Sequence, residues 1–218
     1  RPLKKTIFST VSSKRVFCPD WSHALSTEAE IIYENENIHR VHVTGGTTGI
    51  TLDALEPFRC IGEKQEPEVL PYLKYTGNKN IDINLEVQIE SDNFSAHTVS
   101  KSNYKYMYWN MNQQLAHHTV NGCDIHAGDM MASGTISGND ESAYGSMLEL
   151  SWKGTKPLLM PDGSERKFIN DGDTVIMKAH SLKNNVRIGF GEVRTKVLPS
   201  KSAIQDSSAL RVGLVLLE

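Results

Sequence analysis

The 218-residue chain is short of the features that mark the more specialised protein classes. No apolar run approaches the roughly 20 residues of a membrane-spanning helix, and the longest, residues 212–217, contains Gly213. Positive charge is not in surplus. The 23 Lys+Arg against 26 Asp+Glu give a formal charge of −3, which offers a phosphate backbone no attractive field, so no nucleic-acid partner is expected. Cysteine is scarce. Cys18, Cys60 and Cys123 are odd in number and widely spaced, which speaks against a disulfide framework and a paired-cysteine zinc pattern and for a reducing, cytoplasmic setting. The opening Arg1-Pro2-Leu3-Lys4-Lys5 is basic but lacks the apolar stretch and small-residue cleavage site of a signal peptide. A first residue other than Met points to a piece of a longer product. Internal repeats, low-complexity tracts, a phosphate-loop lysine and a Gly-x-Ser-x-Gly elbow are all missing. What remains, 39% hydrophobic and 22% charged, is the composition of an ordinary globular domain.

Patterning divides the chain into three parts: residues 1–44, 45–198 and 199–218. The first mixes charged and β-branched residues without a sustained period; one short helix is expected from Ser26 through Tyr33, with Ser26 as its cap and Glu28 and Glu30 in its first turn. The texture changes at Gly45-Gly46-Thr47-Thr48-Gly49. Pro57, Pro67 and Pro71 then punctuate a stretch that no long helix crosses.

Residues 81–90 alternate strictly between apolar and polar, the signature of a half-buried strand. A helix is expected next, because Tyr104, Met107, Tyr108, Met111 and Leu115 form an apolar stripe for core packing, with Ser102 as N-cap and Gly122 as the stop. Strands return at residues 129–138. A further strand is expected over residues 146–152, with Leu148, Leu150 and Trp152 on one face. Asp171-Gly172-Asp173 reads as a hairpin turn before a strand over 174–179, and residues 187–197 supply the last strand. Many strands and one long helix define a mainly β α+β fold.

Two places could carry chemistry. Glu149 sits within the expected strand 146–152, where flanking apolar surface would desolvate it and suit it to handling protons; the alternative is a solvent-facing strand glutamate. Ser133-Gly134-Thr135-Ile136-Ser137-Gly138 places two glycines among small hydroxyls, which lets backbone N–H groups and the Thr135 hydroxyl approach a carboxylate; the alternative is an ordinary tight turn. His117 and His118 are adjacent at the expected helix end, with His126 nearby. Adjacent helical residues diverge by about 100°, so a favourable helix C-terminus explains them better than a metal does.

From Gly46 onward the residues resemble one family. Gly46-Thr47-Thr48, Asp53-Ala54-Leu55-Glu56-Pro57-Phe58, Leu70-Pro71-Tyr72-Leu73, Asp82-Ile83-Asn84-Leu85, the long run from Tyr106 to Lys156, and Arg187-Ile188-Gly189-Phe190-Gly191 together look like the C-terminal part of the fumarylacetoacetase family. The resemblance implies a β-rich roll, a homodimer, and hydrolysis of the carbon–carbon bond of fumarylacetoacetate, a small diketo acid, at the end of tyrosine and phenylalanine catabolism. That reaction expels a carbanion, so it needs a cation as charge sink, for which the resemblance implies Mg²⁺ or Ca²⁺ on carboxylate oxygens. It also needs a histidine–glutamate pair to activate water.

Carried across by motif, Thr135 binds the substrate carboxylate and Glu149 orients the histidine. Thr47 falls near the Mg²⁺ site, Asp20 of Asp20-Trp21-Ser22 echoes a metal aspartate, and Cys123 packs. The departures are specific. The family's catalytic histidine and Glu-x-Glu ligands are not visible. Val43 stands where a lysine precedes Thr47, Ala24 replaces an arginine after Ser22, and Glu28-x-Glu30 follows Asp20 instead of preceding it. The expected function is therefore a fumarylacetoacetase-like hydrolase. The alternatives are a non-catalytic, dimer-forming or dicarboxylate-binding remnant of the same fold, or a related decarboxylase or hydratase.

Overall fold

The computed structural model describes residues 50–126, 129 and 131–199, together with the backbone of two strands before them. Two strands come first, β1 (Thr27–Ile32) and β2 (Ile38–Thr44). A short helix α1 (Leu52–Leu55) leads into the paired strands β3 (Arg59–Cys60) and β4 (Asn80–Ile81). Next come β5 (Asn84–Ser91), β6 (Phe94–Asn103) and helix α2 (Met111–Thr119). The one-turn helix α3 (Met147–Leu150), the small pair β7 (Leu158–Leu159) and β8 (Glu165–Arg166), and the long strands β9 (Thr174–Lys183) and β10 (Val186–Leu198) complete the order.

Six strands form one antiparallel sheet in the order β1-β2-β10-β9-β5-β6. The mainly β α+β class read from the sequence is the class the structure has. No helix of the described residues is long and apolar enough to cross a membrane.

The β9–β10 hairpin turns through Asn184 and Asn185, both at positive φ (50° and 62°). Two-residue hairpin turns need that left-handed pair to match the strand twist, and asparagine tolerates it. Beyond a register shift between Gly189 and Glu192, the pairing runs on to Lys196↔Thr174. The side chains pack into two clusters. In one, Leu55, Phe58, Ile81 and Ile83 are buried, with Ala179, Ile188 and Phe190 of the sheet packed on them. In the other, Ile89, Phe94 and Met160 are buried, joined by Met147 of α3.

Three expected elements outside the candidate site differ. Residues 27–32 are strand β1, not the helix expected from Ser26 through Tyr33; pairing with β2 places Glu28 opposite His42 and Glu30 opposite Arg40. A short segment takes the conformation its tertiary partner satisfies. The alternating run 81–90 is two strands. It breaks at Asp82, whose N–H donates to the Phe58 carbonyl and whose carbonyl accepts the Ser181 hydroxyl. The helix expected from Ser102 starts later, because β6 runs through Asn103 and a 3₁₀ turn covers Tyr104–Tyr106. Asn110 is the true cap: its side chain accepts from the Gln113 N–H while the Gln113 side chain accepts from the Asn110 N–H. The buried face of α2 is also polar. Gln113 is buried and donates to the Leu73 carbonyl and the Gln65 side chain, whereas Leu115 of the expected apolar stripe is exposed.

Candidate functional site

Glu149 is not on a strand. Ser146 caps α3, accepting from the Glu149 N–H, and the helix ends at Ser151, after which Trp152 and Lys153 take left-handed φ values of 49° and 58°. Two such residues reverse the chain, so an extended strand through Trp152 is ruled out. The inward residue is Met147, which packs in the second cluster, and the buried Ser151 hydroxyl donates back to the Met147 carbonyl at 2.7 Å. Leu148 and Trp152, assigned to a core face by the alternation, are exposed, and so is Glu149. The desolvated strand acid expected from the sequence is thus corrected to an exposed carboxylate on a capped turn.

The loop of residues 133–138 lies against that turn. The Ser137 hydroxyl donates to Glu149 Oε2 at 2.6 Å and accepts the Gly145 N–H at 3.1 Å. The Ser146 hydroxyl donates to the same Oε2 at 3.1 Å. Gly145 permits the approach: a Cβ there would stand 2.5 Å from the Ile136 carbonyl oxygen and 2.8 Å from Thr135 Cγ2. The Gly138 N–H is taken by the Ala143 carbonyl at 2.8 Å. Thr135 is exposed on this loop, and its hydroxyl engages none of the described residues. The strands expected over 129–138 do not form among the described residues; the segment is irregular, held by these contacts instead of a ladder.

The structure therefore ties the loop that carries Thr135 to Glu149 through the Ser137 hydroxyl. It does not bear on Asp20 or Thr47, which lie outside the described residues. Cys123, expected to pack, is exposed with a free thiol. Burial raises the Cys60 thiol above its ordinary pKa, with the Asp82 charge adding to the effect. His117 Nδ1 lies 3.0 Å from the Tyr72 hydroxyl with the rings stacked, and the His126 backbone N–H donates to Asp129 Oδ2 at 2.9 Å.

Sequence reasoning named Ser137 only as one of the loop's small hydroxyls, and missed its tie to Glu149 together with Gly145 and Ser146. The signal for Ser146 was present: Ser146-x-x-Glu149 is the spacing of a helix capping box, here with the glutamate closing on the cap hydroxyl. Ser137 and Gly145 carry no local signal, because their partners are eight or more residues away.

A divalent ion finds no fit in this part of the molecule. Among the described residues, no three His, Cys, Asp or Glu side chains gather where they could hold one. Ca²⁺ takes six to eight oxygen ligands, and Mg²⁺ an octahedron of one or two carboxylates completed largely by water, whereas Glu149 already spends one oxygen on two hydroxyls.

Fold and site together define a mainly β α+β domain in which a hydroxyl-bearing loop is tied to a carboxylate. The model of the fumarylacetoacetate hydrolase C-terminal domain matches residues 38–198, and the chain belongs to that family. It is 51% identical over 152 residues to the fumarylacetoacetase of Homo sapiens, 49% over 154 to that of Mus musculus and 50% over 154 to that of Dictyostelium discoideum. These alignments cover 69–70% of this chain but only 36–37% of the relatives. The chain thus spans about a third of the length of the curated relatives it matches.

Proposed function

We propose that residues 45–198 carry the diacid-binding side of a centre that hydrolyses the carbon–carbon bond of fumarylacetoacetate to fumarate and acetoacetate. The observation that carries this reading is the Ser137–Glu149 hydrogen bond at 2.6 Å, which joins the Thr135 loop to an acid within the region matched by the family. The Thr135 hydroxyl donates to the substrate carboxylate, and the neighbouring glycine leaves the backbone open to it. Glu149 Oε1 accepts from the group that activates water. A Mg²⁺ or Ca²⁺ ion would supply the charge sink for the leaving carbanion; Asp20 and Thr47 are the sequence candidates to hold it. The same reading extends to a cytoplasmic homodimer acting at the end of tyrosine and phenylalanine catabolism.

A second reading, dicarboxylate binding without turnover, is favoured by one observation: among the described residues no three His, Cys, Asp or Glu side chains gather where they could hold a metal ion. One experiment separates the two. Loss of the enolate ultraviolet absorbance is followed when the chain meets fumarylacetoacetate with Mg²⁺, and the melting temperature is read with and without fumarate. Hydrolysis by the chain makes the absorbance fall, and Glu149→Gln abolishes that fall. Steady absorbance with a fumarate-dependent rise in melting temperature leaves the binding reading. Neither signal overturns both. In either case Thr135→Val weakens fumarate binding by roughly 1–2 kcal/mol, the scale of one hydrogen bond to a charged group, as titration calorimetry would measure. Equal affinities would remove Thr135 from the site.

A further inference from the structure

A serine hydroxyl has one proton to donate and lone pairs to accept with. At Ser137 the Gly145 N–H takes a lone pair (3.1 Å), which leaves the hydroxyl proton to be donated to Glu149 Oε2 (2.6 Å), within the short range of hydroxyl–carboxylate bonds. At Ser146 the Glu149 N–H takes a lone pair (3.3 Å), and the proton goes to the same Oε2 (3.1 Å). Each hydroxyl thus has its direction set by a backbone N–H, and both donate to one oxygen. Oε1 engages none of the described residues.

The terminal torsion of a glutamate is broad and roughly two-fold, so a carboxylate held by a single bond exchanges its oxygens. From these observations we infer that Ser137 is a positioning residue: it locks the rotation of the Glu149 carboxylate, so that Oε2 is consumed and Oε1 is presented as the one free acceptor. Ser146 cannot do this alone. It sits on the same helical turn as Glu149 and moves with it, whereas Ser137 belongs to the loop that carries Thr135. Its hydroxyl is the link, among the described residues, between that loop and the acid. The spacing between the diacid-binding hydroxyl and the free acceptor is therefore set by Ser137. The functional weight of this inference rests on the reading of Glu149 and Thr135 given above; the hydrogen-bond geometry does not.

The test uses the full chain labelled with carbon-13 at the glutamate side-chain carboxyls. The Glu149 signal is assigned by its disappearance in Glu149→Gln. In Ser137→Ala the Glu149 carboxyl signal is expected to move and fumarate affinity to fall several-fold. Ser137→Thr, which keeps the hydroxyl, is expected to return both towards wild type. A purely structural role would shift backbone amides around the loop and leave the carboxyl signal where it was. A folded Ser137→Ala chain with the wild-type Glu149 signal, or a folded Ser137→Thr chain that fails to recover it, overturns the inference. Should Ser137→Ala fail to fold, Ser137→Cys keeps the volume with a weaker donor: a displaced Glu149 signal supports the role and an unmoved one overturns it. If fumarate fails to bind the wild-type chain, the functional reading falls while the carboxyl signal still decides Ser137.

Discussion

The β9–β10 hairpin and the segment from residue 104 to residue 156 are held by different physics. In the hairpin, the Asn184-Asn185 turn starts the register, and every later pair repeats the same antiparallel geometry. Redundancy of that kind tolerates the shift between Gly189 and Glu192 without losing the strand. Among its described residues the other segment has little ladder. The Asn110 cap, the Ser146 cap and the Ser137 link each hold one place with one or two hydrogen bonds, and buried Gln113 replaces the usual apolar contact. Repetition gives the hairpin its stiffness. The site lies in the half where single groups decide.

The difference predicts where substitutions hurt, and by how much. The largest effect is expected where the sheet is anchored. Arg166 Nε donates to Asp173 Oδ2 at 3.1 Å, with side-chain exposures of 10% and 2%, and the Asp173 carbonyl accepts from the Val197 N–H of β10. Asp173→Ala leaves a buried guanidinium unpaired and should cost about 3–5 kcal/mol, read as a lower denaturation midpoint for the whole domain. A loss below about 1 kcal/mol would mean the hairpin does not depend on this anchor.

Next comes Gly145→Ala. Its Cβ would press on the Ile136 carbonyl oxygen, an overpacking cost of roughly 1–3 kcal/mol. Fumarate binding should fall much further than the sheet's hydrogen-exchange protection; equal losses in both would erase the distinction between the halves.

A smaller effect is expected at Asn110→Ala. Removing the capping box should cost roughly 1 kcal/mol, with faster amide exchange confined to α2 and its contact with the 65–73 region. Faster exchange in β9 and β10 as well would show the two halves to be one cooperative unit.

The smallest effect concerns pH. Hydrogen bonds from Thr98 (2.6 Å) and Gln88 (2.8 Å) hold the Glu86 carboxyl below the ordinary glutamate value. A carboxyl depressed in the folded state adds stability above its unfolded pKa and loses it as pH falls through the folded value. Thr98→Val should therefore lower the melting temperature near neutrality and flatten the acid limb of the profile, the two chains converging at low pH where the carboxyl is protonated in both. An unchanged acid limb would show that this pair adds nothing to the sheet.

Legibility followed the same division. Strands β5 and β10 could be read from alternation and β-branched content, because eight or more residues repeat one pattern. The turn at Asp171-Gly172 before β9 could be read from its residue types, but not its setting: it is no hairpin, since β8 pairs with β7 and β9 with β10 and β5. Over residues 146–152 the alternating pattern was a coincidence of seven residues, and the Ser-x-x-Glu spacing that competed with it was the better guide. Thr135 and Glu149 were legible as residues through the family motifs, but Glu149 was placed in the wrong environment, and the Ser137 hydrogen bond that ties the Thr135 loop to it was not legible.

What the amino-acid order determined alone was the class of fold, the family, and the long strands, since those depend on patterns repeated along the chain or on whole motifs. Only the tertiary structure decided that Met147, and not Leu148 or Trp152, would enter the core. It alone brought the residue 133–138 loop within hydrogen-bond reach of α3. Contacts between residues distant in sequence follow from how the packed elements close on one another, and no local period encodes that closure.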